Sequence, residues 1–413
     1  MLIRAIRVPE VRRRLLVMLL AVTLFRCGQS LPLPGVDNSA LAAADPASGQ
    51  LPGLLDLLTG GGLAELSVLA LGVLPVIAAT YLVGFGGLLV PRVRALVEAG
   101  EAGHARIASY TRCVAVLLSA ALATVVVRLT VDGRPPLTDT AADADVLYST
   151  GALSQITMVV CMTGGTAVVL WLSAIITDRG FGEGLSILFL AQAAAVFPGQ
   201  VWDAAPGGIG GVAVSLAVVL ALVLVTGLSV TILQGERRVP IQYAKRMIGR
   251  RAYGGSGTYI AVRGGQGAFG VAVPASLLLV LPAPPIPWLI AAYALLVFAY
   301  VFLRGGFAFN SEEATGSLQR EGGFVPGIRP GRPTAEYLGY VHVRIVVAGA
   351  FGMAVVALIP VAALALPGVR AGEAALGVTA LLLVAHMNLA TVLPTVRQIE
   401  SWLLKPAFEP RPR

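Results

Sequence analysis

Charged residues are scarce in this chain of 413 residues. Only 13% are Asp, Glu, Lys or Arg, against roughly 25% in soluble domains, while 56% are hydrophobic and the mean hydropathy is +0.82. A soluble protein of this length could not enclose so much apolar surface in its core, so lipid must solvate part of it. The composition predicts a polytopic membrane protein and argues against ordinary soluble domains.

Residue patterns that perform catalysis or hold metals are missing as well. The three cysteines, Cys27, Cys113 and Cys161, show no metal-ligand spacing and indicate ordinary packing. The apolar segments contain no carboxylate pair, no Ser/His or Cys/His constellation and no H-E-x-x-H motif. They also hold almost no ionisable side chains after Val68, although ion-coupled transporters bind their coupling ion at that depth. We therefore expect no enzyme, metal or cofactor, and these segments disfavour the alternative of a secondary solute transporter.

Ten apolar segments have spanning or near-spanning length. They lie at 15–26, 68–91, 113–131, 152–177, 184–198, 209–233, 268–283, 288–303, 345–366 and 374–394. Several are shorter than the ~20 residues of a perpendicular spanning helix, which is tolerated where other helices surround them.

A further segment, residues 51–66, is only moderately apolar and is interrupted by Gly60, Gly61 and Gly62. We interpret it as a half-helix or re-entrant piece, which occurs at membrane depth where it lines a cavity. Interrupted segments of this kind indicate functional sites in membrane proteins. An external loop with a short helix is the alternative.

Positive charge lies almost entirely on one side of the predicted bundle. If the amino terminus is cytoplasmic and the sides alternate, 26 of the 30 Lys and Arg residues are cytoplasmic. The outer side receives Arg26, Arg128, Arg134 and Arg370. This asymmetry predicts that both termini are cytoplasmic, and it favours an even number of spans.

Twelve of the 26 cytoplasmic charges lie in two loops, 234–266 and 304–344. The first loop carries basic pairs interleaved with tyrosines, which suits RNA backbone or an acidic protein surface. Its basic residues exceed what orientation requires, so we favour a docking surface over a role in topology alone.

The same two loops carry a family resemblance. GERRVPIQYAKRMIGRRAYGG (235–255) and FNSEEATGSLQREGGFVPGIRPGRPTAEYL (309–338) resemble cytoplasmic loops of the SecY family, the central subunits of the Sec protein-conducting channel. Further matches follow in the family's order, at SLPLPGVD (30–37), GGGLAELSVLALGVLP (60–75), ITDRGFGEGLSIL (176–188) and TVRQIESWL (395–403). The resemblance covers about residues 12–405.

The resemblance implies an all-α polytopic fold with ten transmembrane helices in two inverted five-helix halves around a central pore. The halves would be residues 1–200 and 201–413, and loops 234–266 and 304–344 would be the cytoplasmic docking loops. Spans two, three, seven and eight would form a lateral gate. The interrupted segment would be the plug that seals the outer funnel, with the plug positions Leu54, Leu55, Leu58, Gly60, Gly61 and Gly62.

A ring of bulky aliphatic side chains is the family's second seal, and such a constriction closes by dewetting. Motif matching places the ring at Val73, Ile77, Phe189, Ala193, Val273 and, in the last span, Leu383 or Met387. Phe189 and Ala193 depart from the family's usual residues. For each position, ordinary core packing is the alternative.

The implied function is translocation of unfolded preproteins across the cytoplasmic membrane and lateral release of membrane proteins into it. The implied partners are SecE, SecG, the SecA motor ATPase, the ribosome with its RNA, signal sequences and membrane lipid. Docking would involve Arg237, Arg238, Lys245, Arg246, Arg250, Arg251 and Arg329. The short chain, the unusual His386 and the altered ring keep open an accessory family member with restricted substrates.

Overall fold

The computed structural model describes residues 9–43, 55–56, 58–90, 92–93, 96, 101–132, 147–203, 209–243, 246–248, 251–253, 258–263, 287–307 and 309–364. Contacts separate the chain into two compact units, with the boundary between Val218 and Val219. The predicted halves, 1–200 and 201–413, and their inverted relation stay predictions.

The first unit is helical. Its helices are α1 (Pro9–Gln29), α2 (Asn38–Ala43), α3 (Leu74–Leu89), α4 (Glu101–Val131), α5 (Ala152–Arg179) and α6 (Gly184–Asp203), and α7 (Ile209–Gln234) begins in it. Helix α5 packs against α1, α3, α4 and α6, so it lies at the centre of this unit. A core of buried aliphatic and methionine side chains, including Leu63, Leu66, Val127 and Met158, joins α4 and α5 to the segment before α3.

The second unit combines helices with small sheets. After α7 come β1 (Glu236–Tyr243), β2 (Arg246–Ile248), β3 (Arg251–Tyr253), β4 (Thr258–Arg263), α8 (Pro287–Phe307), α9 (Ser311–Arg320), β5 (Gly323–Phe324) and α10 (Arg332–Leu364). Helix α8 packs along α10, and α9 packs against α10. Asn310 caps the start of α9. Its side-chain oxygen accepts hydrogen bonds from the main-chain N–H groups of Glu312 and Glu313, two donors that have no partner within the first turn of the helix.

Three of the described helical segments are long and apolar enough to cross a membrane: Ala105–Val131, Ala152–Arg179 and Arg332–Val356. Shorter apolar helices are Leu74–Gly84, Gly184–Val196, Val223–Ile232 and Ala294–Leu303. The predicted spans 268–283 and 374–394 lie outside the described residues, so the count of ten spans stays a prediction.

Several predicted boundaries were wrong. The segments predicted to begin at 113 and 345 belong to helices that begin earlier, at Glu101 and Arg332. The second span was placed at 68–91, but residues 60–73 form turns and α3 begins at Leu74. Pro75 lies in the first turn of α3, where a main-chain N–H would have no hydrogen-bond partner within the helix, so proline is tolerated there. The fifth span was expected to end at the Pro- and Gly-rich stretch 198–211. Instead α6 continues through Pro198 to Asp203.

The strands of the second unit were not predicted from the sequence. Strand β1 pairs antiparallel with β4, from Glu236 opposite Arg263 to Ile241 opposite Thr258, and its far end pairs with β5. Val239 and Ile241 alternate with exposed residues along β1 and point into a core shared with Leu318 of α9 and Leu338 of α10. The two predicted docking loops therefore join in one folded body, which we call the platform: β1, β4, β5 and α9, packed on the start of α10. Strands β2 and β3 form a separate two-stranded sheet.

We predict that Leu338→Ala loosens the platform without disturbing the first unit. Leu338 is fully buried in the platform core, and emptying such a site destabilises by about 2–5 kcal/mol. Hydrogen exchange measured by mass spectrometry should show faster exchange in β1 and β4 and unchanged exchange in α5.

Leu338→Met is the matched control, because a swap that conserves volume costs less than about 1.5 kcal/mol. Equal exchange in β1 for the alanine variant and the original chain would show that this core does not hold the sheet.

Candidate functional site: a capped plug segment and a basic platform

The predicted plug forms a short helical segment ended by glycines. Residues 55–56 and 58–59 are helical, and we call residues 55–62 the plug segment. The main-chain N–H groups of Gly60 and Gly61 both donate to Asp56 O, at 2.7 and 3.0 Å. Gly60 and Gly61 have φ of +73° and +84°, the left-handed region that ends helices and favours glycine.

The plug segment is buried in the first unit. The Leu58 side chain is fully buried, and Leu55 packs against the core of α4 and α5. Leu54, the first predicted plug position, lies outside the described residues.

Three side chains from distant parts of the chain bind the main-chain carbonyls at the end of the plug segment. Gln192 Nε2 of α6 donates to Leu58 O at 2.5 Å, Gln29 Nε2 of α1 donates to Thr59 O at 2.8 Å, and Arg26 Nη1 of α1 donates to Gly60 O at 3.0 Å. Arg26 Nη1 also donates to Gln29 Oε1. None of these three residues was predicted as a site residue from the sequence, although Arg26 is one of the four basic residues predicted on the outer side.

Gly60 is enclosed by the two glutamines. A Cβ at Gly60 would lie 2.6 Å from Gln29 Nε2 and 2.7 Å from Gln192 Cβ, closer than atoms can approach. At Gly61 the nearest atom to such a Cβ would be Asp56 Oδ1, at 3.6 Å, which is ordinary contact. Gly60 therefore meets a steric requirement that Gly61 does not.

Four of the predicted ring positions are described, and all four are buried: Val73, Ile77, Phe189 and Ala193. Val73 O accepts from Ile77 N at 3.0 Å, so these two lie one helical turn apart as expected. A Cβ at Gly72 would lie 2.9 Å from Gln192 Oε1 and 3.0 Å from Thr59 O. The neighbours of Val73 and Ala193 thus meet at the plug segment.

Val273, Leu383 and Met387 lie outside the described residues. That the buried positions face a pore stays a prediction.

The platform presents basic side chains on β1. Arg237 and Arg238 are exposed. Arg238 Nε donates to Glu236 Oε1 at 3.0 Å, and its guanidinium lies 4.9 Å from the ring centre of Tyr259 on β4. The hydrogen bond to Glu236, aided by the charge interaction with Tyr259, raises the pKa of Arg238, so this cation stays charged at any physiological pH.

The remaining basic residues of the first loop are only partly placed. Arg246 and Arg251 lie on β2 and β3, paired in register with Tyr253 and Ile248. Lys245 and Arg250 lie outside the described residues.

Arg329 is exposed on a tight turn between β5 and α10. Its carbonyl accepts from Thr334 Oγ1 at 2.8 Å, and Thr334 is buried at the start of α10. Ile328 N donates to Val325 O, and Gly327 and Gly331 flank the turn with φ of +82° and +106°. The main chain at Arg329 is held in place while its guanidinium projects from the surface.

A hydrogen bond between side chains also links the two loops. Tyr243 OH at the end of β1 donates to Glu321 Oε2 at 3.2 Å. Burial, and then this carboxylate, raise the pKa of Tyr243, so the phenol stays a donor.

A family model described as SecY matches residues 67–392, which is most of the chain. The chain belongs to the SecY family. Protein translocase subunit SecY of Streptomyces galbus is 37% identical over 434 residues, and the match covers 98% of each chain. The resemblance seen in the loops 234–266 and 304–344 is confirmed.

Solved structures share the fold. A protein-conducting channel matches with a TM-score of 0.59 at 14% identity, covering 96% of this chain and 94% of that one. Sec61 in the canine ribosome–channel complex matches with a TM-score of 0.54, also at 14% identity, with the same coverage. The expected polytopic helical fold of the SecY family is confirmed.

We predict that Gly60→Ala displaces the plug segment and Gly61→Ala does so much less. Both variants place a Cβ at positive φ, at roughly 1–2 kcal/mol, but only the alanine at 60 overlaps Gln29 and Gln192. Hydrogen exchange of the peptide covering residues 58–72 should accelerate more in Gly60→Ala. Equal acceleration in the two variants would mean that the packing around Gly60 does not hold the segment.

Proposed function

We propose that this chain is the channel-forming subunit of a protein translocase in the cytoplasmic membrane. It passes unfolded preproteins across the membrane and releases membrane proteins laterally into lipid. The observation that carries the proposal is the plug segment, a broken helix seated beside the buried positions Val73 and Ala193 and held there by polar side chains. A permanently open pore would not need such a segment.

Two seals act in series in this proposal. The plug segment closes the outer funnel, and the ring of Val73, Ile77, Phe189, Ala193, Val273 and Leu383 or Met387 closes the constriction by dewetting. An apolar ring excludes hydrated ions while it adapts to a passing polypeptide. Phe189 replaces an aliphatic side chain with a larger, flatter one, and Ala193 leaves space beside it. Neither seal requires bond making, so the chain acts without catalysis.

The platform receives the partner that drives transport. Arg237, Arg238 and Arg329 of the platform, with Lys245, Arg246, Arg250 and Arg251 from the same loop as β1, offer positive charge to the carboxylates of the SecA motor or the phosphates of ribosomal RNA. The antiparallel pairing of β1 with β5 supports this role, because it makes the two loops a single surface. The canine ribosome–channel complex, which has the same fold, supports the ribosome as a partner.

The membrane arrangement follows from the charge asymmetry and the family. We propose cytoplasmic amino and carboxyl termini, ten spans, and assembly with SecE and SecG. The platform then lies on the cytoplasmic face and the plug segment towards the outer face. An accessory channel with a restricted substrate set is the alternative, favoured by Phe189 and Ala193, and genetic depletion in the source organism would distinguish it from an essential channel.

The function is tested by reconstitution into liposomes with SecE and SecA. A labelled preprotein should become protected from added protease when ATP is present. A solute transporter would leave the preprotein fully digestible, and that result would refute the proposed function.

We predict that the Arg329→Glu variant inserts and folds normally but lowers SecA-driven translocation at least about tenfold. The new carboxylate would face carboxylates of the motor, and like charges that face each other at an interface cost several kcal/mol. The exposed guanidinium makes no described ion pair, so its reversal leaves the turn intact. Arg332→Glu is the control, with the same change in net charge on a side chain that is 90% exposed and bonded to Glu336. Loss of translocation in both variants to the same extent would show that bulk charge, rather than Arg329, matters.

A further inference from the structure

The end of the plug segment creates a local hydrogen-bonding demand. The last carbonyls of a helical turn have no partner within the helix, and a buried carbonyl without a donor is strongly unfavourable. Leu58 and Thr59 are both fully buried. Something other than bulk water must therefore bind their carbonyls when the segment is seated.

Gln192, Gln29 and Arg26 meet this demand one carbonyl each, in the order Leu58, Thr59 and Gly60. The two glutamines are buried, with 0% and 3% of their surface exposed. Buried glutamines are unusual unless they are hydrogen-bonded. The Arg26 cation also suits the partial negative charge at the carboxyl end of a helical turn.

We propose that Arg26, Gln29 and Gln192 form a latch that positions the plug segment in its seated state and sets how readily it leaves. The inference rests on the proposed channel function, whose regulation it specifies. The latch residues stand on α1 and α6, whereas every acceptor is a main-chain atom of the plug segment.

Hydrogen bonds are suited to this task because they are directional. A small displacement of the segment breaks all three, after which water entering the outer funnel can satisfy both donors and acceptors. Apolar contacts such as that of Leu58 weaken more gradually with distance. The plug segment therefore has two states: it stays seated until the three hydrogen bonds of the latch break together.

The latch is tested by the accessibility of the plug segment. Cys27, Cys113 and Cys161 are replaced by serine, and Thr59→Cys is introduced as a reporter. Thr59 suits this use because its hydroxyl bonds only within the segment, to Leu55 O, and the latch uses its main-chain carbonyl. The protein is purified in detergent with its SecE partner, and the labelling rate by a charged maleimide is measured.

Gln29→Met and Gln192→Met remove the donors at nearly constant volume. Each should accelerate labelling of the reporter roughly fivefold, and the double variant roughly 25-fold, because both bonds break when the segment leaves. Gln155→Met is the matched control: Gln155 lies on α5, is only partly buried and bonds to Thr150 O, so the labelling rate in this variant should stay within about twofold of the original.

Labelling rates equal to the control in both methionine variants would overturn the latch. A second reporter, Ser119→Cys in α4, measures general loosening, since Ser119 is buried in the first unit and its hydroxyl bonds to Val116 O of its own helix. If the methionine variants accelerate both reporters alike, the glutamines hold the fold rather than the plug segment, and the latch is again overturned.

The labelling assay needs neither motor nor substrate, so it separates the latch from the channel function. Preprotein translocation by the original chain together with unchanged labelling would refute the latch and leave the function standing. Accelerated labelling without any translocation by the original chain would support the latch and refute the function.

Discussion

The constraint on which the rest of the structure depends is the satisfaction of main-chain hydrogen bonds where water is absent. Inside hydrocarbon, helices satisfy these groups internally, which is why apolar segments such as Ala152–Arg179 are continuous helices. Where the helix is broken, at Gly60, side chains must take over. Gln29, Gln192 and Arg26 do so, and the geometry of this one short segment explains why two glutamines are buried in the first unit.

The same constraint acts differently in the platform. The chain that leaves α7 has water available, yet β1 pairs with β4 and β5 and buries Val239 and Ile241 against α9 and α10. This small core gives the basic loops a defined shape. Positive charge that a disordered loop would spread over many conformations is presented from fixed positions, which lowers the entropy lost when a partner binds. Orientation in the membrane needs only charge, whereas the docking that we propose also benefits from this rigidity.

Much of the architecture could be predicted because it depends on local composition. Each described helix from α3 to α8 overlaps an apolar segment that the sequence predicted, although the ends differ. The order of the motifs identified the family. The strands were missed although β1 alternates the buried Val239 and Ile241 with exposed residues, because the short pattern was hidden among basic pairs. The latch was missed for a different reason: Gln192 and Leu58 are 134 residues apart, and nothing local marks a glutamine as a cap for a distant carbonyl.

The sequence by itself determined that the chain crosses membranes, where along the chain its basic residues cluster, which family it belongs to, and that a glycine-rich break interrupts its early part. These are properties of composition and short motifs, and they need no knowledge of distant contacts. Only the tertiary structure decided what the break is held by and that the two basic loops are one body. Both depend on pairings between remote segments, Gln192 with Leu58 and β1 with β5, whose free energy arises only when the chain has folded.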